Sequence, residues 1–217
     1  MHTKKGNDEQ GLKKVYIDIV GRVCPDPVQV ADCWTAVVRA YADKRRHYHT
    51  LVHLGHFYEQ LLSCRDKLVD FETAFLAMVY HDVVYFSPAG RDEEESAAYA
   101  ERDLTRLGFA AGIIERCTAL IMATKTHAET ADRDVNYFVD ADMAILGEDA
   151  ATYDRYAANI RQEYGDTPLF DAGRARVLVY FLGMPRIYKT EWFYDRYEVP
   201  ARANIQRELE VLRSKAN

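Results

Sequence analysis

The stretch RRHYHTLVHLGHFYEQLL, residues 45–62, decides the fold. Leu51, Leu54, Phe57, Tyr58, Leu61 and Leu62 recur at the spacing of one apolar helix face. The same stretch holds four of the chain's seven histidines: His47, His49, His53 and His56. If the helix has begun by His49, then His49, His53 and His56 share a face and His47 lies off it. That face borders the apolar positions. A lone histidine there is ordinarily packed or at the surface, but a cluster of four asks for a further reason.

The helical period continues outward in both directions. Pro25 and Pro27 open a helix carrying Val30, Trp34, Val37, Val38 and Tyr41. Leu68, Phe71, Phe75, Leu76 and Val79 mark another, ending at His81-Asp82. FSPAGRDEEES reads as a loop broken by Pro88 and Gly90, and an acid-started helix then runs to Gly108. Further helices are expected over about 110–124, about 134–146, a tyrosine-rich segment after Gly147, and about 170–182. A last helix runs to the end, bent at Pro200. Residues 1–26 lack a strong period, and VYIDIVGRV suits a short helix or an extended arm. The expectation is an all-α chain: an N-terminal arm over 1–26 and one helical domain over 27–217. Within that domain a core spans about 45–146 and a helical cap about 148–217.

The composition narrows the function. With 48% hydrophobic residues the chain can bury a sizeable core. A net charge of −6 argues against a nucleic-acid polymer as partner, because phosphate backbones call for clustered Lys and Arg. The four cysteines are widely spaced with no C-x-x-C pair, which fits reduced thiols and a cytoplasmic location. The polar start MHTKKGNDEQGLKK does not read as a signal peptide, and no apolar run is long enough to span a membrane.

Two other stretches answer the histidine cluster. MVYHDVVY puts His81 and Asp82 at the end of an apolar helical run. YFVDADMAILG sets Asp140 and Asp142 among Val135, Tyr137, Phe138, Val139, Met143, Ile145 and Leu146. A carboxylate in such company is expensive to bury unless paired or bound to metal. An N-cap for a helix starting near Ala141 explains one of the two, Asp140. Two or three imidazoles with two carboxylates suit a borderline divalent ion: Mn, Fe, Zn or Co.

In this order RRHYHTLVHL, YHDVVY, DEEESA, ATKTH, DADMAILG and GRARVLVYFL resemble the HD superfamily of metal-dependent phosphohydrolases, in particular its small members of unestablished substrate. The resemblance covers roughly residues 28–212. It implies an HD-domain helical bundle with additional C-terminal helices. It also implies a divalent metal cofactor (Mn, Fe, Zn, Co or Mg, one or two ions) held by His53, His81, Asp82 and Asp142. YHTLVH is similar to the Y-H-x-x-x-H stretch of cyclic-nucleotide phosphodiesterases, which implies His53 as ligand and His49 as proton donor to the leaving group. Asp82 both ligates and orients water in this scheme, and Asp140 becomes a cap or a partner of the ligands.

Lys125 and His127 in ATKTH are candidates for phosphate binding or a second metal, against the alternative of a solvated loop. Glu93 and Glu94 are candidates for orienting water or holding a second ion, against a charge-favoured helix start. Arg161 and Arg174 could bind phosphate, although YDRYAANIRQEY also suits a helix that packs its tyrosines inward. The expected function is hydrolysis of a phosphate ester or anhydride on a small phosphorylated molecule such as a nucleotide. The alternatives are a di-iron oxygenase of the HD type and a non-catalytic metal- or nucleotide-binding regulator. A homodimer is open.

Overall fold

A computed structural model describes residues 2–216, with side chains for residues 9–215. Ten α-helices and two short 3-10 helices make up the described residues, with no strand among them, and 73% of the chain is helical. The all-α expectation holds. The chain divides into two compact units, one up to Val139 and one from Asp140 onward.

The first unit contains α1 (His2–Val20), α2 (Pro27–Tyr41), α3 (Leu51–Ser63), α4 (Phe71–Tyr80), α5 (Asp92–Arg106), α6 (Ala111–Ala123) and most of α7 (Arg133–Asp142). Helix starts follow local chemistry. Asp26 accepts the Val28 and Gln29 amides ahead of α2, with Pro27 as its first residue. Asp70 accepts the Thr73 amide at 3.0 Å ahead of α4. Gly108, at φ 87°, ends α5 in the left-handed conformation that an L side chain resists.

Helix α4 is the centre of this unit. Every residue from Thr73 to Tyr80 is buried, so beyond its first two residues the helix has no solvent face. Helices α3, α5 and α6 pack around it. The segment expected as an arm is instead the long helix α1, packed on α2 and α3, with Leu12, Tyr16, Ile19 and Val20 buried. Those four positions keep helical spacing. The exposed Ile17 between them makes VYIDIV look alternating. Tyr16 stacks beside Trp34 and exchanges a 2.8 Å hydrogen bond with Tyr80, tying α1 to α4.

The second unit holds the end of α7, a 3-10 turn over Met143–Gly147, α8 (Ala150–Tyr164), α9 (Pro168–Gly183) and α10 (Glu191–Ala216). Helix α10 runs through Pro200. Its core includes Tyr153, Leu178, Ile187, Tyr188, Phe193, Ile205 and Leu209. Asp140 does not cap its own helix, as expected from sequence. It lies inside α7, and its fully buried carboxylate accepts the amides of Lys189 and Thr190 and the Thr190 hydroxyl at the start of α10. Burial pushes that carboxyl up to about 6 against these three hydrogen bonds.

Gly147 leaves no room for a side chain. A Cβ there would stand 2.6 Å from the Tyr197 Cβ and 2.6 Å from its carbonyl oxygen. Because one of these neighbours is backbone, Gly147→Ala is expected to destabilise the protein by about 1–3 kcal/mol. Urea unfolding checks this, and an unchanged midpoint would refute the close approach.

Candidate metal centre

The centre is built from two segments of the first unit. One is the start of α3. Thr50 caps that helix with its Oγ1 accepting the Val52 amide at 3.3 Å. The helix therefore begins at Leu51, not by His49 as the shared-face reading required. The extended backbone at Thr50, φ −119° and ψ −178°, sets His49 before the first turn. His53 sits in that turn and is 3% exposed.

The other segment is the turn that ends α4. His81 is 2% exposed, and its Nδ1 stands 2.8 Å from the carbonyl oxygen of Met78. A carbonyl only accepts, so Nδ1 carries the proton and Nε2 is turned toward the site. This is the usual way a protein orients an imidazole ligand. The His53 and His81 Nε2 atoms are 3.1 Å apart. Asp82 Oδ2 lies 3.0 Å from His81 Nε2 and 3.8 Å from His53 Nε2.

These spacings can be tested against a metal shell. Ligand bonds of about 2.1 Å place neighbouring donors about 3.0 Å apart at right angles and about 3.4 Å apart in a tetrahedron. Two of the three separations fall at that scale, and the third is slightly wider. The three residues fit a divalent ion on geometry, on donor type and on burial. By itself burial raises the Asp82 carboxyl. The His81 imidazole outweighs it by charge and hydrogen bond, with the charges of His49 and His53 adding, and the group is held well below the usual carboxylate range.

His49 stands at the same carboxylate. Its Nε2 is 4.0 Å from Asp82 Oδ2, and its ring lies 4.3 Å from Tyr85 and 5.5 Å from His53. Accessibility is graded across the group. The side chains of His53 and His81 are 3% and 2% exposed, those of Asp82 and His49 16% and 17%. The two outer groups thus border solvent while the two inner ones do not. His47 is exposed and His56 half-buried.

The remaining expected residues are placed as follows. Lys125, just past α6, forms an ion pair with Glu94 in the first turn of α5. The hydrogen bond from Lys125 lowers the Glu94 carboxyl, and the same bond raises the lysine. Glu93 is half-buried beside it. Two other acids of this turn serve the loop before it: Asp92 accepts the Ser87 amide at 2.5 Å, and Glu95 the Ser87 hydroxyl at 2.6 Å. His127 is half-buried in a left-handed conformation, φ 49°.

In the second unit Asp142 closes α7, half-buried, and acts electrostatically on the Tyr156 hydroxyl. The arginines expected to bind phosphate are engaged by acids. Arg174 holds Glu208 through two nitrogens at 2.9 and 3.0 Å and donates to Tyr156 at 3.1 Å, while Tyr153 donates to Glu208 at 2.5 Å. Arg161 is paired with Asp166 at 2.5 Å and Asp171 at 2.7 Å. A phosphate would have to compete with these carboxylates for either guanidinium.

Three residues of the centre were not expected from the sequence. Arg46 is buried beneath both segments, Tyr41 accepts the Asp82 amide at 3.2 Å, and Tyr85 lies against His49. Arg46 and Arg45 are adjacent and chemically alike, so nothing local distinguishes the buried one from its exposed neighbour. Comparison with protein-family models, with curated proteins and with solved structures finds no match.

Addition of Mn²⁺ or Co²⁺ is expected to raise the thermal midpoint. At a free ion concentration a hundred times Kd the stabilisation should be about 2.7 kcal/mol. His81→Ala should abolish it. An equal rise in that variant would place the bound ion elsewhere.

Proposed function

We propose that the chain is a metal-dependent phosphohydrolase of the HD type that acts on a small phosphorylated molecule, a nucleotide being the leading class. The observation that carries this is the convergence of His53 Nε2, His81 Nε2 and Asp82 Oδ2, with the His81 ring oriented by the Met78 carbonyl. A divalent ion bound there supplies Lewis acidity, making water more acidic and offsetting the charge of a phosphate.

The chain's own residues divide the remaining work. His53 and His81 face inward and hold position. Asp82, kept ionised by its neighbours, can hold the ion and orient a water beside it. His49 lies on the accessible side of that carboxylate. An imidazole there stands where it can give a proton to a departing oxygen. Tyr85 against the His49 ring limits how far it swings. The setting proposed is cytoplasmic. No helix among the described residues is long and apolar enough to cross a membrane.

The test is a screen of nucleotides and phosphoesters with Mn²⁺, Co²⁺, Zn²⁺ or Mg²⁺ added. His81→Ala should be inactive, and undiminished turnover in that variant overturns the assignment. His49→Ala should lower kcat by about 10²- to 10⁴-fold while metal content stays close to that of the wild type. Loss of metal in His49→Ala would make His49 a ligand instead. Two tightly bound irons with oxygen uptake would favour the oxygenase reading over hydrolysis.

A further inference from the structure

Arg46 is 7% exposed, and no carboxylate neutralises it within ion-pair distance among the described residues. The acid three positions before it, Asp43, is held by Arg45 at 2.8 Å. All of the Arg46 hydrogen bonds go to backbone carbonyls. Nη1 donates to His49 at 3.2 Å and to Asp82 at 2.7 Å, and Nη2 donates to Val83 at 3.1 Å. Its guanidinium carbon lies over two aromatic rings, 4.9 Å from the centre of Tyr41 and 5.2 Å from that of Tyr85. Burying a guanidinium without a directly paired carboxylate is costly, so the position calls for a reason beyond packing.

Those three carbonyls supply one. The His49 carbonyl immediately precedes the cap of α3, the helix that carries His53. The Asp82 and Val83 carbonyls follow directly on His81 and belong to the turn that carries the other two candidate ligands. One rigid, planar fork therefore spans the two ligand-bearing segments: His49 lies three residues along the chain from Arg46, and Asp82 and Val83 lie 36 and 37 residues from it. Tyr41 strengthens the same joint, since it walls the guanidinium and also accepts the Asp82 amide.

We infer that Arg46 is the positioning residue of the metal centre. It touches no ligand atom. It sets the separation between the start of α3 and the His81–Asp82 turn, and so the distance at which His53 meets His81 and Asp82. This inference rests on the metal-centre reading and adds to it the residue that holds the geometry.

The experiment is isothermal titration of the full chain with Mn²⁺, together with the absorption spectrum of bound Co²⁺, for wild type, Arg46→Ala and Arg46→Lys. Far-ultraviolet circular dichroism verifies that each is folded. Arg46→Ala should bind Mn²⁺ about ten- to a hundredfold more weakly, the usual cost of losing a support behind the ligands. The Co²⁺ spectrum should change, because the coordination angles change. Millimolar methylguanidinium should restore affinity to Arg46→Ala, as it can occupy the slot between Tyr41 and Tyr85. Ethylammonium, of equal charge, should not. Arg46→Lys should also bind weakly, since a compact ammonium on a flexible stem does not reproduce the rigid fork that reaches both segments. It decides the matter if the alanine variant does not fold.

Wild-type affinity and spectrum in either folded variant would overturn the inference. So would a loss that methylguanidinium leaves untouched, which would make Arg46 a general support of the fold. Wild type that binds no Mn²⁺ sinks the metal centre and the inference with it, and is distinguishable because it precedes any substitution.

Discussion

From Thr73 on, helix α4 has no solvent face, and its C-terminal end is buried with the rest of that stretch. The last carbonyls of any helix lack partners within the helix, and a buried end must find them elsewhere. Here the Met78 carbonyl and the backbone groups of the turn that follows the helix find theirs in the candidate site. His81 takes the Met78 carbonyl, Arg46 takes those of Asp82 and Val83, Tyr41 receives the Asp82 amide, and Ser96 of α5 both donates to and accepts from Val84. The hydrogen bonds that make it tolerable to bury this helix end are the same ones that aim His81 and Asp82. Fold and site are therefore not separable at this turn.

The packing around α4 explains why the candidate ligands arrive from different parts of the sequence. Helix α3 lies along α4, so a histidine in its first turn stands level with the far end of its neighbour. Phe57, one turn beyond His53, fills the space beneath, with its ring 5.3 Å from His81 and 4.9 Å from Phe138 of α7. Aromatic side chains form the floor, and only the Asp82 and His49 side carries appreciable exposure. Low surrounding polarity strengthens whatever electrostatic contact is made there.

Much of this was legible in the sequence, and the failures have physical causes. The 3.6-residue period of Leu51 to Leu62 and of Leu68 to Val79 gave the helices, because apolar spacing is dictated by burial on one face. His81-Asp82 stood out because polar residues at the end of a wholly apolar run need a reason. Helix α1 was obscured by Ile17, an exposed apolar residue that broke the pattern. His49 was placed inside the helix but lies two residues before its start, since Thr50 decides the start and a threonine cap is less conspicuous than aspartate. Asp140 looked like a local cap but serves a helix start some fifty residues later, a pairing that spacing cannot reveal. Arg174 and Arg161 looked available because their acids, Glu208 and Asp171, are distant in sequence or unremarkable in context. Arg46 is the same failure in reverse, a charge whose partners are carbonyls and thus leave no side-chain signature.

The bonds that support the centre do not consume the atoms that would bind metal. His81 is held through Nδ1, Asp82 through its backbone amide and carbonyl, and the α3 segment through the His49 carbonyl and the Thr50 cap. His53 Nε2, His81 Nε2 and Asp82 Oδ2 are left facing one another at 3.0 to 3.8 Å. Two imidazole nitrogens at 3.1 Å need a proton between them or a cation in common, because two lone pairs at that distance repel. With Nδ1 of His81 already donating to Met78, the proton sits on His53 Nε2, or His81 is doubly protonated against Asp82. In either case a divalent ion entering the group takes the place of a proton and finds the surrounding backbone already in position. Little conformational entropy remains to be lost on binding, which is the condition for a site that binds without refolding.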